Sequence, residues 1–509
     1  MIVKTLSSAI IGIDSFPVEV EVDITAGLPQ FSTVGLPDAS VRESKDRIKA
    51  AINNSGYKFP THHVTINLAP ADIKKEGTSF DLPIAMAILA AQGMVSLGPL
   101  TQYLLIGELS LDGSVKGVHG ALSSAFTARS LGIRGIVLPK ENASEAALVE
   151  GIDVIPVDHL SDVVEFFGER REINPFHVDI EALFRQNRDY PFDFSDIKGQ
   201  EQAKRAIEVA TAGGHNILMI GPPGSGKSML AQRIVTIIPD FSLSEAIETT
   251  QIYSVAGILD RKEALIATRP FRAVHHTISD AGLVGGGHIP RPGEISLAHH
   301  GVLFLDELPE FRKNVLETLR QPLEDGKITI TRSAQTATYP ARFALVASMN
   351  PCPCGYYGDS SNRCHCTPQQ IRQYQGRISG PLLDRIDIHI EVPSVRYRDL
   401  TARGAGEASS AIKNRIENAR AIQQKRFSGD ETICNARMSE AQIRAFCLID
   451  DESHKLIEMA IDKLGLSARA YTRILKVART IADLDNSDCL TSSHIAEAIQ
   501  YRSLDRHLI

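Results

Sequence analysis

The stretch GPPGSGKS, Gly221 to Ser228, sets glycines, a lysine and a hydroxyl at the spacing G-x-x-x-x-G-K-[ST]. Residues of these types at this spacing bind phosphate. The turn of Gly221, Pro222, Pro223, Gly224, Ser225 and Gly226 can curl backbone N–H groups round a β-phosphate, Lys227 can meet the β and γ oxygens, and Ser228 can ligate Mg²⁺. A second group, Asp306 and Glu307 in GVLFLDELPEF, offers one carboxylate to hold Mg²⁺ through water and one to orient or deprotonate an attacking water. The two motifs together predict hydrolysis of ATP. A third group is four of the seven cysteines, Cys352, Cys354, Cys364 and Cys366, in NPCPCGYYGDSSNRCHC. Four thiolates suit a closed, structural Zn²⁺ site, although two C-x-C pairs are tighter than the usual C-x₂₋₄-C, and free thiols or redox-labile pairs are the alternative.

Chemistry of this kind has to be carried on strands and helices. HNILMI before the glycine-rich turn reads as a buried strand and MLAQRIVTII after it as a helix, while Val302–Leu305 reads as a second buried strand ending at the sheet's carboxyl edge beside the turn. Asp306 lies 79 residues after Lys227, whereas a strand–helix–strand unit needs only about 30. The excess includes SDAGLVGGGHIPRPGEISLAHH, whose glycines predict a mobile loop. His275, His276, His299 and His300 come as adjacent pairs without an i,i+4 ligand spacing, which favours packing or capping over metal. KITITRSAQTATYPARF alternates as a hairpin with Lys327 at its base and Arg332 near its tip, and FALVASMN is a buried strand ending in Asn350, where it can position a lytic water. In LLDRIDIHIEV, Arg385 can pair with Asp384 or Asp387, or reach the γ-phosphate held by a neighbour. SARAYTRILKVART sets Arg469, Arg473, Lys476 and Arg479 on one helical face, ordinarily a solvated one, from which a cation could touch nucleotide.

At 509 residues the chain predicts about three domains, and 43% hydrophobic with 23% charged residues describes a globular protein. The organisation reads as an α/β domain over 1–167, a polar linker over 168–194, an α/β P-loop core over 195–400 and a helical domain over 401–509, after the polar stretch TARGAGEASS. A net charge of −7 argues against a surface that binds nucleic acid everywhere, while leaving room for a basic groove or pore. The longest apolar run, from Leu82, is shorter than a membrane span and the N-terminus lacks the form of a secretory signal, so a cytoplasmic protein without a membrane partner is expected. In a reducing compartment clustered cysteines favour metal over disulfides.

The order of P-loop, glycine-rich insert, LFLDE, hairpin, strand ending in Asn, LLDR and helical region resembles the AAA+ ATPases, within them the magnesium-chelatase and MCM-helicase branch. LVGGGHIPRPGEISLAHHGVLFLDELPEF and NPCPCGYYGD are closer still to the magnesium-chelatase-like ComM/YifB family of bacteria, and the likeness covers essentially the whole chain. The resemblance implies an AAA+ core with a helical lid, assembled as a homo-hexameric ring with ATP at subunit interfaces. It makes Arg385 a finger acting on the neighbour's ATP, Asn350 a first sensor, Arg469 a second sensor, and Arg332 the DNA-gripping residue of a pore hairpin, with Lys327 a secondary contact. It implies an ATP-driven DNA motor that promotes branch migration as single strands are integrated in natural transformation, alongside recombination proteins. The runner-up is a chelatase-type ATPase subunit that remodels a protein partner. The front domain resembles the Lon-protease type fold, with Ser79 of KEGTSFD at the nucleophile's place; the lysine expected near Leu122 is missing, and a serine without a base is a poor nucleophile. A scaffolding or DNA-guiding role is therefore expected there, and no peptidase activity.

Overall fold

The alternation in KTLSSAII and PVEVEV folds as the hairpin it predicts. β1 (Ile2–Ile11) and β2 (Asp14–Thr25) pair antiparallel from Ile2↔Asp23 to Ile11↔Asp14. Val18, Val20 and Val22 thus turn into the core at zero exposure while Glu19 and Glu21 meet Lys4 on the other face. The computed structural model describes residues 2–72, 74–186, 190–260, 264–287, 290–332, 335–358, 363–394, 406–429, 434–464 and 467–504. The expected boundary stretch 401–405 lies outside the described residues.

The chain forms two units, the first made of Met1–Arg188, Ser242–Ala267 and Ser333–Tyr339, the second of Asp189–Phe241, Thr268–Arg332 and Pro340–Ile509. In the first, β3 (Gln30–Val34), β4 (His63–Ala69), β5 (Tyr103–Leu105), β8 (Gly135–Pro139) and β9 (Asp153–Val157) complete a seven-stranded sheet in the order β3-β4-β2-β1-β5-β8-β9, and β6 (Glu108–Leu109) pairs with β7 (Val115–Lys116) across the Asp112-Gly113 turn. The apolar run from Leu82 belongs to the helix Asp81–Ala91, buried on every side from Asp81 to Ala90, which is why it lacks a polar face. Among the described residues no helix is long and apolar enough to cross a membrane. At its start the buried Asp81 carboxylate accepts from Arg47 Nε at 2.8 Å and Nη2 at 3.1 Å; burial, opposed by Arg47, pushes it up to about 6.

Part of the extra length between Lys227 and Asp306 is explained here. The helix Leu243–Ala256, started by a Ser242/Glu245 capping box, belongs to the first unit. The Gln251 amide donates to the Ile13 carbonyl at 2.8 Å and to Ser123 Oγ at 3.0 Å, and the Gly120 N–H donates to the Ser254 carbonyl at 3.2 Å.

The second unit holds a parallel sheet in the order β11-β14-β17-β10-β18, from β10 (Ile217–Ile220), β11 (Phe271–Val274), β14 (Val302–Leu305), β17 (Ala344–Met349) and β18 (Ile388–Glu391). β10 and β14 are buried along their whole length, as strands covered on both faces must be. Ile412 and Ile416 of the helix Ser409–Arg426, and Ile474 and Ile481 of the helix Ala468–Leu484, share one hydrophobic core with Ile217 and Ile388. The glycine-rich stretch expected as a loop contains regular structure: the helices Asp280–Val284 and Glu294–Leu297, and a ribbon of β12 (Gly285–Gly286) with β13 (Arg291–Pro292). Ser279 supplies the local reason, its hydroxyl accepting from the Gly282 N–H at 3.1 Å to start the first helix. β15 (Lys327–Thr331) and β16 (Thr336–Pro340) form the expected hairpin.

Candidate functional site

Parallel register alone gathers the chemistry at one sheet edge. Val274, Leu305 and Ala347 are partners across β11, β14 and β17, and Met219 and Ile220 face Ser348 and Met349. One step further along, His275, Asp306 and Ser348 share a row; at the next, His276 and Glu307 do. Asn350 falls opposite Gly221 by the same count. The side chains meet accordingly. Ser348 Oγ donates to Asp306 Oδ1, His276 Nδ1 lies 3.3 Å from Glu307 Oε2, and Lys227 Nζ donates to Asn350 Oδ1 at 3.3 Å.

The glycine-rich turn sits between β10 and the helix Lys227–Arg233. Gly221 has no room for a side chain, since a Cβ there would lie 2.1 Å from the Val392 carbonyl oxygen. Lys227 Nζ donates to the carbonyls of Gly221 at 2.7 Å and Pro222 at 3.0 Å. Burial lowers the Lys227 pKa, opposed by Asp306 and Glu307. Gln200 supports the turn from outside, its amide donating to the Ser225 carbonyl at 2.7 Å and the Pro393 carbonyl at 3.1 Å from a left-handed backbone (φ +59°).

Ser228 Oγ donates to Asp306 Oδ2 at 3.0 Å, so a hydroxyl and a carboxylate, both hard oxygen donors, converge where a Mg²⁺ ion carrying substrate phosphates fits. Glu307 takes the left-handed backbone (φ +55°, ψ +49°), unusual for a residue with a side chain, and half its side chain is exposed. His276 beside it stacks on His275, ring centroids 4.1 Å apart. The buried His299 Nδ1 accepts from the Arg342 N–H at 2.9 Å, and His275 Nδ1 accepts from the Thr277 N–H at 3.4 Å. His276 instead faces a candidate catalytic carboxylate.

The arginines depart from expectation. Arg385 pairs with neither Asp384 nor Asp387. Its guanidinium, on a residue only 8% exposed, donates to Glu324 and to the Pro381 carbonyl, the latter at 2.6 Å. Asp384 lies instead 3.7 Å from Arg469, and Asp387 takes Arg473 and His215. The basic stripe is not a solvated face: Arg479 is 2% exposed and bonds Asp483 and the Asp488 carbonyl, Lys476 donates to the Ala436 carbonyl at 2.9 Å, and only Arg469 keeps most of its side chain in solvent. Lys327 and Arg332 are exposed, and Arg332 lies against Gly286 of the glycine-rich segment.

The four cysteines come together. All four Sγ atoms lie within 4.8 Å of one another, with Cys352 to Cys354 at 3.3 Å, Cys354 to Cys364 at 3.6 Å and Cys352 to Cys364 at 3.8 Å. A tetrahedron with Zn–S of about 2.3 Å has edges of about 3.8 Å, so the set fits a zinc ion. The Tyr356 N–H, opposed by burial and joined by the His365 N–H, holds the Cys354 thiol down at about 6. Beyond the cluster Arg363 stacks 4.4 Å over the Tyr356 ring and Tyr357 is 51% exposed.

Family models described as magnesium chelatase subunit ChlI match residues 193–400, as subunit ChlI of Mg-chelatase residues 20–142, and as the ChlI C-terminal region residues 406–502. Uncharacterized protein YifB of Escherichia coli K12 is 46% identical over 98% of this chain and 97% of its own length; competence protein ComM of Haemophilus influenzae is 43% identical over 99% and 97%. The chain belongs to the ComM/YifB family of magnesium-chelatase-like AAA+ proteins. The magnesium-chelatase 38 kDa subunit of Cereibacter sphaeroides is more distant, 25% identical over 60% of this chain and 89% of its own. As a ComM/YifB protein it is an ATPase that works with ATP and Mg²⁺. Gln200, His276 and Ser348 also meet residues of the site, in roles that no motif announces. The one signal in the sequence for His276 is its place in the pair His275-His276 directly after FRAV.

Proposed function

We propose that this ComM/YifB ATPase is a DNA motor that acts as a homo-hexameric ring and moves branched junctions while single strands are integrated in natural transformation. The observation that carries the reading is the exposed Arg332, which leaves β15 within the unit that holds the ATP site and rests on the glycine-rich segment continuous with His276; the competence protein ComM relative supports it. In this reading the P-loop N–H groups and Lys227 hold the phosphates, and Ser228 and Asp306 hold Mg²⁺, which when bound neutralises charge developing on the transferred phosphoryl. Glu307 takes the proton of the attacking water and Asn350, already in reach of Lys227, orients that water. Arg385 serves the neighbour's ATP and Arg469, the most exposed cation of its helix, serves as second sensor. Lys327 adds a contact at the hairpin's base, and the four cysteines hold a structural zinc that presents Tyr357 to single-stranded DNA. The front unit scaffolds or guides DNA. Leu122, where the activating lysine would be expected, is fully buried there, and a serine without a base is a poor nucleophile.

The test is ATP-driven migration of a labelled four-way or three-strand junction by wild type, Glu307→Gln and Arg332→Ala. Wild type should resolve the junction, the first variant should fail, and the second should hydrolyse ATP without moving DNA. Hydrolysis that DNA neither stimulates nor couples to movement would sink the motor. The chelatase matches would then favour an ATPase subunit that remodels a protein partner, assayed by partner-dependent metal insertion.

A further inference from the structure

The cysteine cluster is built onto the phosphate loop. Gly355, the residue after Cys354, has φ +85°, and a Cβ placed on it would lie 2.6 Å from Pro223 Cδ and 2.8 Å from Pro223 Cγ. The turn that brings it there is closed by the Gly355 N–H donating to the Cys352 carbonyl at 2.9 Å. On the other side the chain runs straight into the catalytic edge, for Asn350, two residues before the fully buried Cys352, accepts from Lys227. The Pro351 carbonyl between them accepts from Gln375 at 3.1 Å, and Gln375 ends the helix Pro368–Gln375 that begins two residues after Cys366. The two C-x-C pairs therefore enclose a loop whose near end touches Pro223 and whose strand supplies Asn350. Nine residues separate the pairs in sequence, and the contacts between one pair and the other run through the sulfurs.

Building on the zinc reading above, we propose that the metal in this cluster braces the phosphate loop, so that metal and nucleotide bind as thermodynamically linked ligands, each raising the affinity of the other. The cause is shared ordering. A phosphate cradle needs Pro223 and the N–H groups after it fixed, and a metal that has already fixed Gly355 against Pro223 removes part of the ordering cost that nucleotide must otherwise meet. Reciprocity then requires bound nucleotide to raise the metal's affinity by the factor by which metal improves nucleotide binding. The coupling needs no DNA and no ring.

Three readings on the full-length protein test it. Elemental analysis should find one zinc per chain. Release of that zinc to a chromogenic chelator, titrated to equilibrium, should need at least about five-fold more chelator, the lower end of measured couplings, when a non-hydrolysable ATP analogue is added as its magnesium complex, and stripped protein should bind a fluorescent ATP analogue more weakly by the same factor. Gly355→Ala should keep its zinc but lose nucleotide affinity, and its zinc release should become indifferent to nucleotide. Should stripping unfold the chain, the effect of nucleotide on release decides by itself. Zinc present with release within two-fold in both conditions overturns the brace and leaves the zinc reading standing; protein that folds, binds nucleotide and carries no zinc overturns both.

Discussion

Replacing Glu324 by glutamine asks whether Arg385 is a finger held in reserve. The Arg385 guanidinium folds back onto Glu324 at the end of the helix Arg320–Asp325, from which β15 begins two residues later. A finger must leave this place to reach another subunit's γ-phosphate. Glu324 is 59% exposed, so the ion pair is screened and worth about 0.5–1 kcal/mol, which holds back the released arginine about two- to five-fold. Glutamine keeps a hydrogen-bond acceptor at the same place while removing the charge, and should therefore raise ATP turnover about two- to five-fold at low salt. The assay is steady-state hydrolysis at saturating ATP over a range of protein and salt concentrations. Wild type should approach the variant as salt rises, because the screened term vanishes for both, and Arg385→Ala should be inactive in every condition. The reasoning is refuted if Glu324→Gln loses activity together with Arg385→Ala, for Glu324 would then be holding the arginine where it works.

His276→Ala should lower kcat about ten-fold with KM for ATP within two-fold, because it frees the Glu307 carboxylate without touching the phosphate loop. His276→Asn, which can still donate to Glu307, should recover most of that loss; an equal defect in both variants would point to packing. Gln200→Ala removes a hydrogen bond to the Ser225 carbonyl worth about 1 kcal/mol and should raise KM for ATP about five-fold in steady-state assays, with kcat little changed. The two units should answer acid in opposite senses. Burial pushes the Asp387 carboxyl up, but Arg473 and His215 outweigh it and hold it well below the carboxylate range. Its contribution to the second unit is thus complete above about pH 4 and lost as pH falls further. The Asp81 carboxyl, raised to about 6, contributes fully below about pH 4 and has lost that contribution once pH has risen past 6. Hydrogen exchange across pH 3.5–7 should show Asp387→Asn flattening the acid response of the second unit and Asp81→Asn that of the first, and the reverse assignment would contradict both.

What could be read from the sequence was what is local. GPPGSGKS between a buried strand and a helix, VLFL before Asp306, and FALVASMN before Asn350 each carry their own context, and each lies at the predicted place along the second unit's sheet. His276 and Ser348 could not be read, because they matter only once β11 and β17 lie on either side of β14, and strand order is a long-range choice. The basic stripe was misjudged for a related reason. A period of three and four residues describes a face turned outward and one turned inward equally well, and the partners that turn this one inward, Asp387, Asp483 and the Ala436 carbonyl, lie elsewhere in the chain or on the helix's far turns. For Arg385 the sequence offered Asp384, Asp387 or a neighbour's γ-phosphate, and could not offer Glu324, which lies 61 residues earlier and takes the buried guanidinium. The glycine-rich stretch looked like a loop because two-residue strands and one-turn helices leave no periodicity to detect.

The Leu243–Ala256 helix bears on how such a protein can be taken apart, or inherited. The sequence enters the second unit at Asp189, returns to the first for Ser242–Ala267, and returns again for Ser333–Tyr339. A chain cut after Arg188 would lose the Gln251 amide that meets Ile13 and Ser123 and expose the apolar side of the helix that carries Ser123. The front unit is therefore no cassette that recombination between genes could add to or strip from an ATPase: its sequence is written partly inside that of its partner, and the two must be gained or lost together.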